Sequence, residues 1–415
     1  MAKKIINPIK SLKATKFFEL IKERTERFNK SSKEPIPHEY QVNALARRLH
    51  PDKQFVKISK IVENSPDCKT YTLIPDTEKG TNELAYFSSG QYVTVFLEIE
   101  GLKITRPYSL SSAPYQSLGG EKGFYEITIK AAPDGLVSNY ILENWKENQQ
   151  IKISAPEGHF DYVYLRDAPT VVGIAGGSGI TPFLSYAKSI VNGDENFNLI
   201  LLYGSRDSSS ILFQKELKEL ENKSNKIKVV HVLSGENTEI SNENEGSVPL
   251  QFEKGFINAE LIKKYAPQSP YSIFLCGPQA MYNFVDKEIE KLGLEKKFVR
   301  HEMFGEIHNA KNQEGYPGCQ SDEVTITVTI CDQTYTVKGN ASDTILQILE
   351  KGGIAVPNRC RSGECGWCHS LLKSGKVFIP ARMDYRRKAD IKFNFIHPCS
   401  TFALSDIELD IPPAK

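Results

Sequence analysis

No apolar run in this 415-residue chain approaches the ~18 to 20 residues that a membrane-spanning helix requires. Its start, MAKKIINPIKSLK, lacks the long apolar core of a secretion signal, so the expectation is a soluble cytoplasmic protein. An excess of one charge is also missing: 52 Lys and Arg stand against 51 Asp and Glu, which removes the overall field that nucleic acid or an acidic membrane surface would exploit. There is no internal repeat and no low-complexity tract. The chain is too long for a single hydrophobic core, so two or three domains are expected.

Changes of periodicity divide the chain. Residues 1–52 read as helical and basic, with 12 Lys and Arg against 5 Asp and Glu in the first 50 and a ragged apolar stripe through Ile9, Leu12, Phe17, Phe18, Leu20 and Ile21. The expectation is an N-terminal extension packed on the next domain, with a docking helix for a partner or membrane surface as the alternative. Residues 53–163 hold short alternating strands such as VKISKIVEN, KTYTLIP and QYVTVFLEIE, the pattern of an antiparallel β-barrel. From 164 to 305 apolar strands alternate with helices, the signature of an α/β doubly wound parallel sheet. A polar link, 306–321, leads to a last unit, 322–415, with a strand pair, VTITVTI and QTYTVKG. Its helix, SDTILQILEKGG, has a Ser or Asp cap in prospect and stops at glycines.

Eight cysteines are present, and four crowd the last 56 positions. In a large cytosolic chain such clustering speaks for a metal or redox site rather than a disulfide framework. Cys360, Cys365 and Cys368 are spaced C-x4-C-x2-C, and Cys399 follows after thirty residues; this is the plant-type [2Fe–2S] spacing. Zinc is the competing reading, but its sites usually pair two short-spaced thiol motifs. Arg359 and Arg361 flank the first ligand, either adding positive charge beside a reduced cluster or standing as solvated surface residues; Trp367 shields or simply packs. The run PNRCRSGECGWC with a downstream PC, after a hairpin and short helix, resembles a plant-type ferredoxin domain, which implies an α+β, β-grasp fold for 322–415.

GIAGGSGITPF, residues 173–183, lies between an expected strand and helix, where glycines permit close backbone approach and a helix N-terminus favours phosphate. GGSGITP resembles the pyridine-nucleotide loop of the ferredoxin–NADP reductase family, which places Gly176, Gly177 and Gly179 on the nucleotide and Thr181 near the flavin. RPYSLSS resembles that family's flavin motif. The resemblance implies Arg106 on phosphate, Tyr108 on the isoalloxazine and Ser109 at its N5 edge. GLVSNYI fits the second phosphate-binding segment, with Gly135 and Ser138. CGP places Cys276 by the nicotinamide, with a buried structural thiol as the alternative. HEMFG resembles the strand that closes the family's nucleotide domain, which implies Glu302 and Phe304 as neighbours of the ring. Ser205, Arg206 and Ser234 could meet a 2′-phosphate, whereas Glu236 suits a free ribose hydroxyl and favours NADH over NADPH. Cys68, Cys319 and Cys331 receive no role, and His159 and His369 read as structural.

The modules make chemical sense together. A nicotinamide gives two electrons as a hydride, a [2Fe–2S] cluster takes one, and a flavin can do both. The span 53–415 therefore resembles the oxygenase-reductase type of fused electron-transfer protein. The resemblance implies an NAD(P)H-dependent enzyme with FAD rather than FMN, Ser109, Cys276 and Glu302 at the hydride site, and a cluster feeding an oxygenase, a metal-cluster enzyme or a corrinoid protein. A redox-sensing or electron-transfer subunit without turnover of its own is the second reading.

Overall fold

Each change of periodicity becomes a change of architecture in the computed structural model, which describes residues 14–31, 33, 40–133, 135–235, 250–303, 309–319 and 321–413. Two units separate, Met1–Arg48 and Leu49–Lys415. The first contains helices α1 (Ala14–Lys30) and α2 (Gln41–Leu49); α1 ends with Arg27 and Lys30, where cations complement the helix dipole, and α2 buries no residue.

The second unit begins with the barrel strands β1 (Gln54–Ser65), β2 (Cys68–Pro75), β3 (Tyr92–Ile99), β4 (Leu102–Ser109), β5 (Tyr125–Lys130) and β6 (Gln150–Ile153), with helix α3 (Leu136–Asn144) before the last. They form one antiparallel sheet in the order β4-β3-β6-β1-β2-β5, curled so that a bridge between Leu110 and Ile127 joins its two ends. Alternate residues such as Val56, Ile58, Tyr71, Leu73, Val93 and Val95 turn inward and fill it.

A parallel sheet follows: β7 (Thr170–Gly176), β8 (Asn198–Ser205), β9 (Ile227–Leu233), β10 (Gln251–Lys254), β11 (Ser272–Cys276) and β12 (Val299–Glu302), ordered β10-β9-β8-β7-β11-β12. Helices α4 (Thr181–Asn192) and α5 (Gln214–Lys223) accompany one apolar cluster, α6 (Ala259–Tyr265) and α7 (Gln279–Glu290) another. Every residue of β7 is buried, as expected of a strand covered on both faces. Lys188 of α4 reaches back to the barrel and bonds Glu126 at 3.0 Å and the Ser111 carbonyl at 3.1 Å. Arg300 of β12 bonds Asp167 at 2.9 Å and the His159 carbonyl at 2.8 Å. These pairs fix the barrel to the sheet.

The last domain has a five-stranded sheet, β14-β13-β19-β15-β17, built from β13 (Glu323–Ile330), β14 (Gln333–Asn340), β15 (Ser370–Ser374), β17 (Phe395–Ile396) and β19 (Ile407–Asp410). A small ribbon pairs β16 (Val377–Phe378) with β18 (Phe402–Ala403), and helices α8 (Ile345–Lys351) and α9 (Lys388–Lys392) complete it. Strands β13 and β19 run parallel, the mark of a β-grasp. The cap of α8 is Thr344, whose hydroxyl accepts the Gln347 N–H at 3.3 Å, rather than Ser342 or Asp343: the sequence offered three capping residues in a row, and the helix starts after the last. Met383 and Phe402, both fully buried, join the apolar cluster of the parallel sheet, so these two domains share a core.

Candidate functional site

The parallel sheet reverses its order between β7 and β11, the switch point at which such sheets bind ligands beyond their carboxyl ends. The loops leaving these two strands, GGSG and CGP, lie against each other. A Cβ on Gly179 would come 2.3 Å from the Cys276 carbonyl oxygen, an approach only glycine allows. Beside them opens a cleft of about 1090 Å³, lined by Gly176, Gly177, Ser205, Arg206, Asp207 and Pro278 among others. Helix α4 starts directly after the loop, so its free N–H groups and dipole favour a phosphate. Asn139, from the start of α3, also lines the cleft and holds its Oδ1 buried without a hydrogen-bond partner, an acceptor available to a polar ligand. The cleft fits a dinucleotide. Ser138 in the same helix accepts the Ala132 N–H at 3.2 Å, and Gly135 is its N-cap.

Strand β4 ends with the flavin candidates. Arg106 is half-buried and donates to the Thr105 carbonyl at 2.8 Å; burial lowers its pKa, and the nearby Glu350 charge opposes that. Tyr108 packs on the barrel core, and burial pushes its phenol up. Ser109 is buried and hydrogen-bonds the carboxyl of Glu302, which closes β12. Glu302 pairs in register with Cys276 of β11, and that thiol is fully buried. The Tyr282 hydroxyl ties the same point together by donating to the Glu302 carbonyl oxygen. Ser109, Cys276 and Glu302, far apart in sequence, are thus brought together. Burial raises the Glu302 carboxyl well above the usual carboxylate range, the Glu364 charge raises it further, and the Ser109 hydrogen bond opposes both. Its Oε2 is buried with no partner, which fits a site completed by a bound ring. Phe304 and Glu236 lie outside the described residues.

The four thiols gather in one group, with Cys360 beside both Cys365 and Cys399, and Cys399 also beside Cys368. Cys368 and Cys399, both buried, hold their sulfurs 3.3 Å apart. Cys360 accepts the Ser362 and Cys365 N–H groups, each at 3.4 Å, with the Cys365 thiol beside it. Among the described residues no three His, Cys, Asp or Glu side chains close on a single metal point, as a mononuclear zinc site demands. Four gathered thiols, with backbone N–H groups turned to the Cys360 sulfur, suit a [2Fe–2S] cluster. Gly363 adopts a φ of +85°, and a Cβ there would meet the Met383 carbonyl at 2.8 Å, so the loop tolerates no side chain at that point.

Sequence reasoning missed how this loop is held. Arg361 is fully buried and binds Glu350 of α8 through two hydrogen bonds, 2.7 and 2.6 Å. The same guanidinium bonds Asn358 at 3.1 Å and the Thr105 carbonyl at 3.4 Å, and Thr105 itself donates to Asn358. Thr105 precedes Arg106, so the cluster loop is anchored on the strand of the flavin motif. Arg361 takes a φ of +59°, a strained conformation for a side chain of its size, held by the ion pair. Arg359 pairs with Glu157 of the barrel, and its guanidinium stacks 4.1 Å from the Trp367 ring centroid. The surface alternative for these arginines is therefore corrected: both are buried, and the carboxyl groups of Glu350 and Glu157 offset the cost of taking each charge out of water. Tyr92, opposite Ser109 in the β3–β4 register, lies within electrostatic reach of Cys360 and Cys365. Asp207 was also missed. It lines the nucleotide cleft, with its carboxylate accepting from Ser209 at 2.7 Å and the Ser210 N–H at 2.9 Å.

Two outcomes follow. Glu350→Gln leaves the Arg361 charge buried without its counter-ion, a loss of about 3–5 kcal/mol for such pairs. Flavin bleaching by reduced nicotinamide should keep its wild-type rate in anaerobic stopped flow, while cluster bleaching slows by about 10-fold or more as the loop loses register; an unchanged cluster rate contradicts this. Cys365→Ser should abolish the cluster absorbance and leave bound flavin largely intact, whereas joint loss would show that the domains do not hold their cofactors separately.

Comparison with known proteins agrees with this order of parts. Family profiles match residues 55–162 (oxidoreductase FAD-binding domain), 174–287 (oxidoreductase NAD-binding domain) and 328–404 (2Fe-2S iron-sulfur cluster binding domain). The glycine betaine monooxygenase reductase subunit of Pseudomonas aeruginosa is 24% identical over 367 residues, which cover 86% of this chain and 95% of that protein. The ferredoxin reductase component of 3-ketosteroid-9-alpha-monooxygenase from Rhodococcus rhodochrous is 27% identical, covering 84% and 94%. The structure of phthalate dioxygenase reductase covers 87% of this chain and 98% of its own, with a TM-score of 0.59 at 22% identity, a likeness of fold. The chain uses FAD, a nicotinamide and a [2Fe–2S] cluster to pass electrons on to a partner redox protein. It belongs to the ferredoxin–NADP reductase family of flavoproteins, in the oxygenase-reductase type that carries a plant-type [2Fe–2S] ferredoxin domain at its C-terminal end.

Proposed function

We propose that this protein is the NADH-dependent reductase component of an oxygenase system. The observation that carries the proposal is the anchoring of the cluster loop on Thr105, one residue from the flavin-motif arginine, because it places both redox groups within one fixed frame. The monooxygenase components among the relatives favour an oxygenase as acceptor over a corrinoid or other metal-cluster protein. The cysteines are all free, which suits a reducing cytoplasm.

When bound, FAD would supply the chemistry that turns the two-electron hydride of NADH into single electrons for a [2Fe–2S] cluster. The chain's own residues position and protonate. Arg106 holds a flavin phosphate, Tyr108 packs on the ring, and Gly176, Gly177 and Gly179 let the nucleotide approach the backbone. Thr181, whose hydroxyl donates to the Ser178 carbonyl at 3.0 Å, fixes the turn into α4. Ser109 and the raised carboxyl of Glu302 hold a proton at the flavin edge, and Cys276 closes the nicotinamide side with a small, un-ionised thiol, since burial pushes its pKa well up.

Nicotinamide choice rests on Asp207. Its carboxylate stands beside Arg206 in the cleft and, oriented by two hydrogen bonds, suits a ribose hydroxyl and repels a 2′-phosphate. Under anaerobic conditions NADH should bleach the flavin and then the cluster bands, with a kcat/KM for NADH at least about 10-fold above that for NADPH. Asp207→Ala should narrow that ratio. Equal use of both nucleotides by the wild type contradicts the assignment to Asp207, and no bleaching by either contradicts the reductase reading.

A further inference from the structure

Cys360 and Cys365 lie within electrostatic reach of Tyr92 of the barrel, and Cys368 and Cys399 within reach of Arg361. Cys368 and Cys399 are buried in the ferredoxin core, and the next residue along the chain from Cys368, His369, is partly exposed. Its ring stacks on Phe395 at 4.1 Å and 13°, and its Nε2 lies 3.0 Å from Asp390 of α9. Around that contact Ile391 and Phe393 are 52% and 59% exposed, unusual for large apolar side chains so near one another. Arg387, Lys388 and Lys392 are exposed beside them, and the Lys392 ammonium lies 5.6 Å from the Phe393 ring centroid. Residues 382–393 carry five Arg and Lys against two Asp, and both acids are engaged within the fold. Asp384 chelates Arg386 at 2.8 and 2.8 Å, and Asp390 binds His369 and the Arg387 N–H.

We propose that this basic and apolar surface around α9 is the docking site of the electron acceptor, and that the acceptor presents an acidic rim around an apolar contact beside its own redox centre. The proposal rests on the reductase reading above. Three observations carry it: position next to the cluster ligand Cys368, exposed apolar side chains of the kind that form the centre of an interface, and a surrounding charge of one sign. Transient redox encounters are small, and their rate is set by complementary charge more than by area. A patch of two apolar and three basic side chains is of that scale.

The test uses the full-length holoprotein and two soluble haem proteins of opposite charge as acceptors, acidic cytochrome b5 and basic cytochrome c, with Lys388→Glu/Lys392→Glu and Phe393→Ser as variants. NADH-driven bleaching of flavin and cluster should be unchanged in both. Reduction of cytochrome b5 by the charge-reversed protein should fall by about 10-fold or more at low ionic strength, the deficit closing at high salt, while reduction of cytochrome c rises. Phe393→Ser should lower the cytochrome b5 rate with its salt dependence retained. Normal bleaching with unaltered cytochrome b5 reduction and salt dependence overturns the docking site alone, whereas absent bleaching in the wild type overturns the reductase reading. Should the charge reversal instead release the protein from phosphatidylglycerol vesicles, or dissociate a wild-type dimer in sedimentation, with cytochrome b5 reduction intact, the patch belongs to a membrane or a second copy and the proposal fails.

Discussion

The buried ion pair between Arg361 and Glu350 is the constraint on which the working arrangement depends. Alone, a guanidinium in a protein interior is costly, and a carboxylate hardly less so. Here the two form a bidentate pair that also engages Asn358 and the Thr105 carbonyl, so four groups from three segments satisfy one another. Because one of those segments is β4, the loop that carries Cys360 cannot shift without breaking contact with the flavin strand. Arg359 and Glu157 add a second attachment, and Met383 and Phe402 seat the same domain on the parallel sheet.

This rigidity has a chemical purpose. A hydride is transferred only at near-contact, and the convergence of Ser109, Cys276 and Glu302 from three strands of two domains is what the proposed hydride site needs. Electrons then leave singly toward a second centre whose position must be equally well defined. The fold meets both needs by leaving open the nucleotide cleft, where a substrate must enter and leave, and by closing the flavin-to-cluster boundary with buried polar contacts. Glu302 and Glu364 interact across that boundary, so charge at the cluster loop is felt by the carboxyl beside the flavin candidates.

Much of this was legible in the sequence. Residue-by-residue alternation marked the barrel, strands alternating with helices marked the wound sheet, thiol spacing marked the cluster, and RPYS, GGSG and CGP marked the ends of β4, β7 and β11. What could not be read were contacts between segments far apart. Glu350 looked like one more polar residue on a helix, and nothing in its neighbours indicated that it faces Arg361. Asn358 and Thr105, 253 positions apart, are equally ordinary until the fold brings them together. The alternatives for Arg359 and Arg361 stayed open because burial of a charge depends on partners supplied by tertiary structure. Asp207 was overlooked because its role follows from a strand end that local pattern does not distinguish from a turn.

The central claim is that the cluster of each molecule is reduced by the flavin of the same molecule, through the loop docked on β4. The most direct test is the rate of cluster bleaching after rapid anaerobic mixing with one equivalent of NADH, measured over a wide range of protein concentration. A docked path predicts a first-order rate independent of protein concentration and insensitive to salt. A rate that rises in proportion to protein concentration would mean transfer between molecules, and would contradict the account.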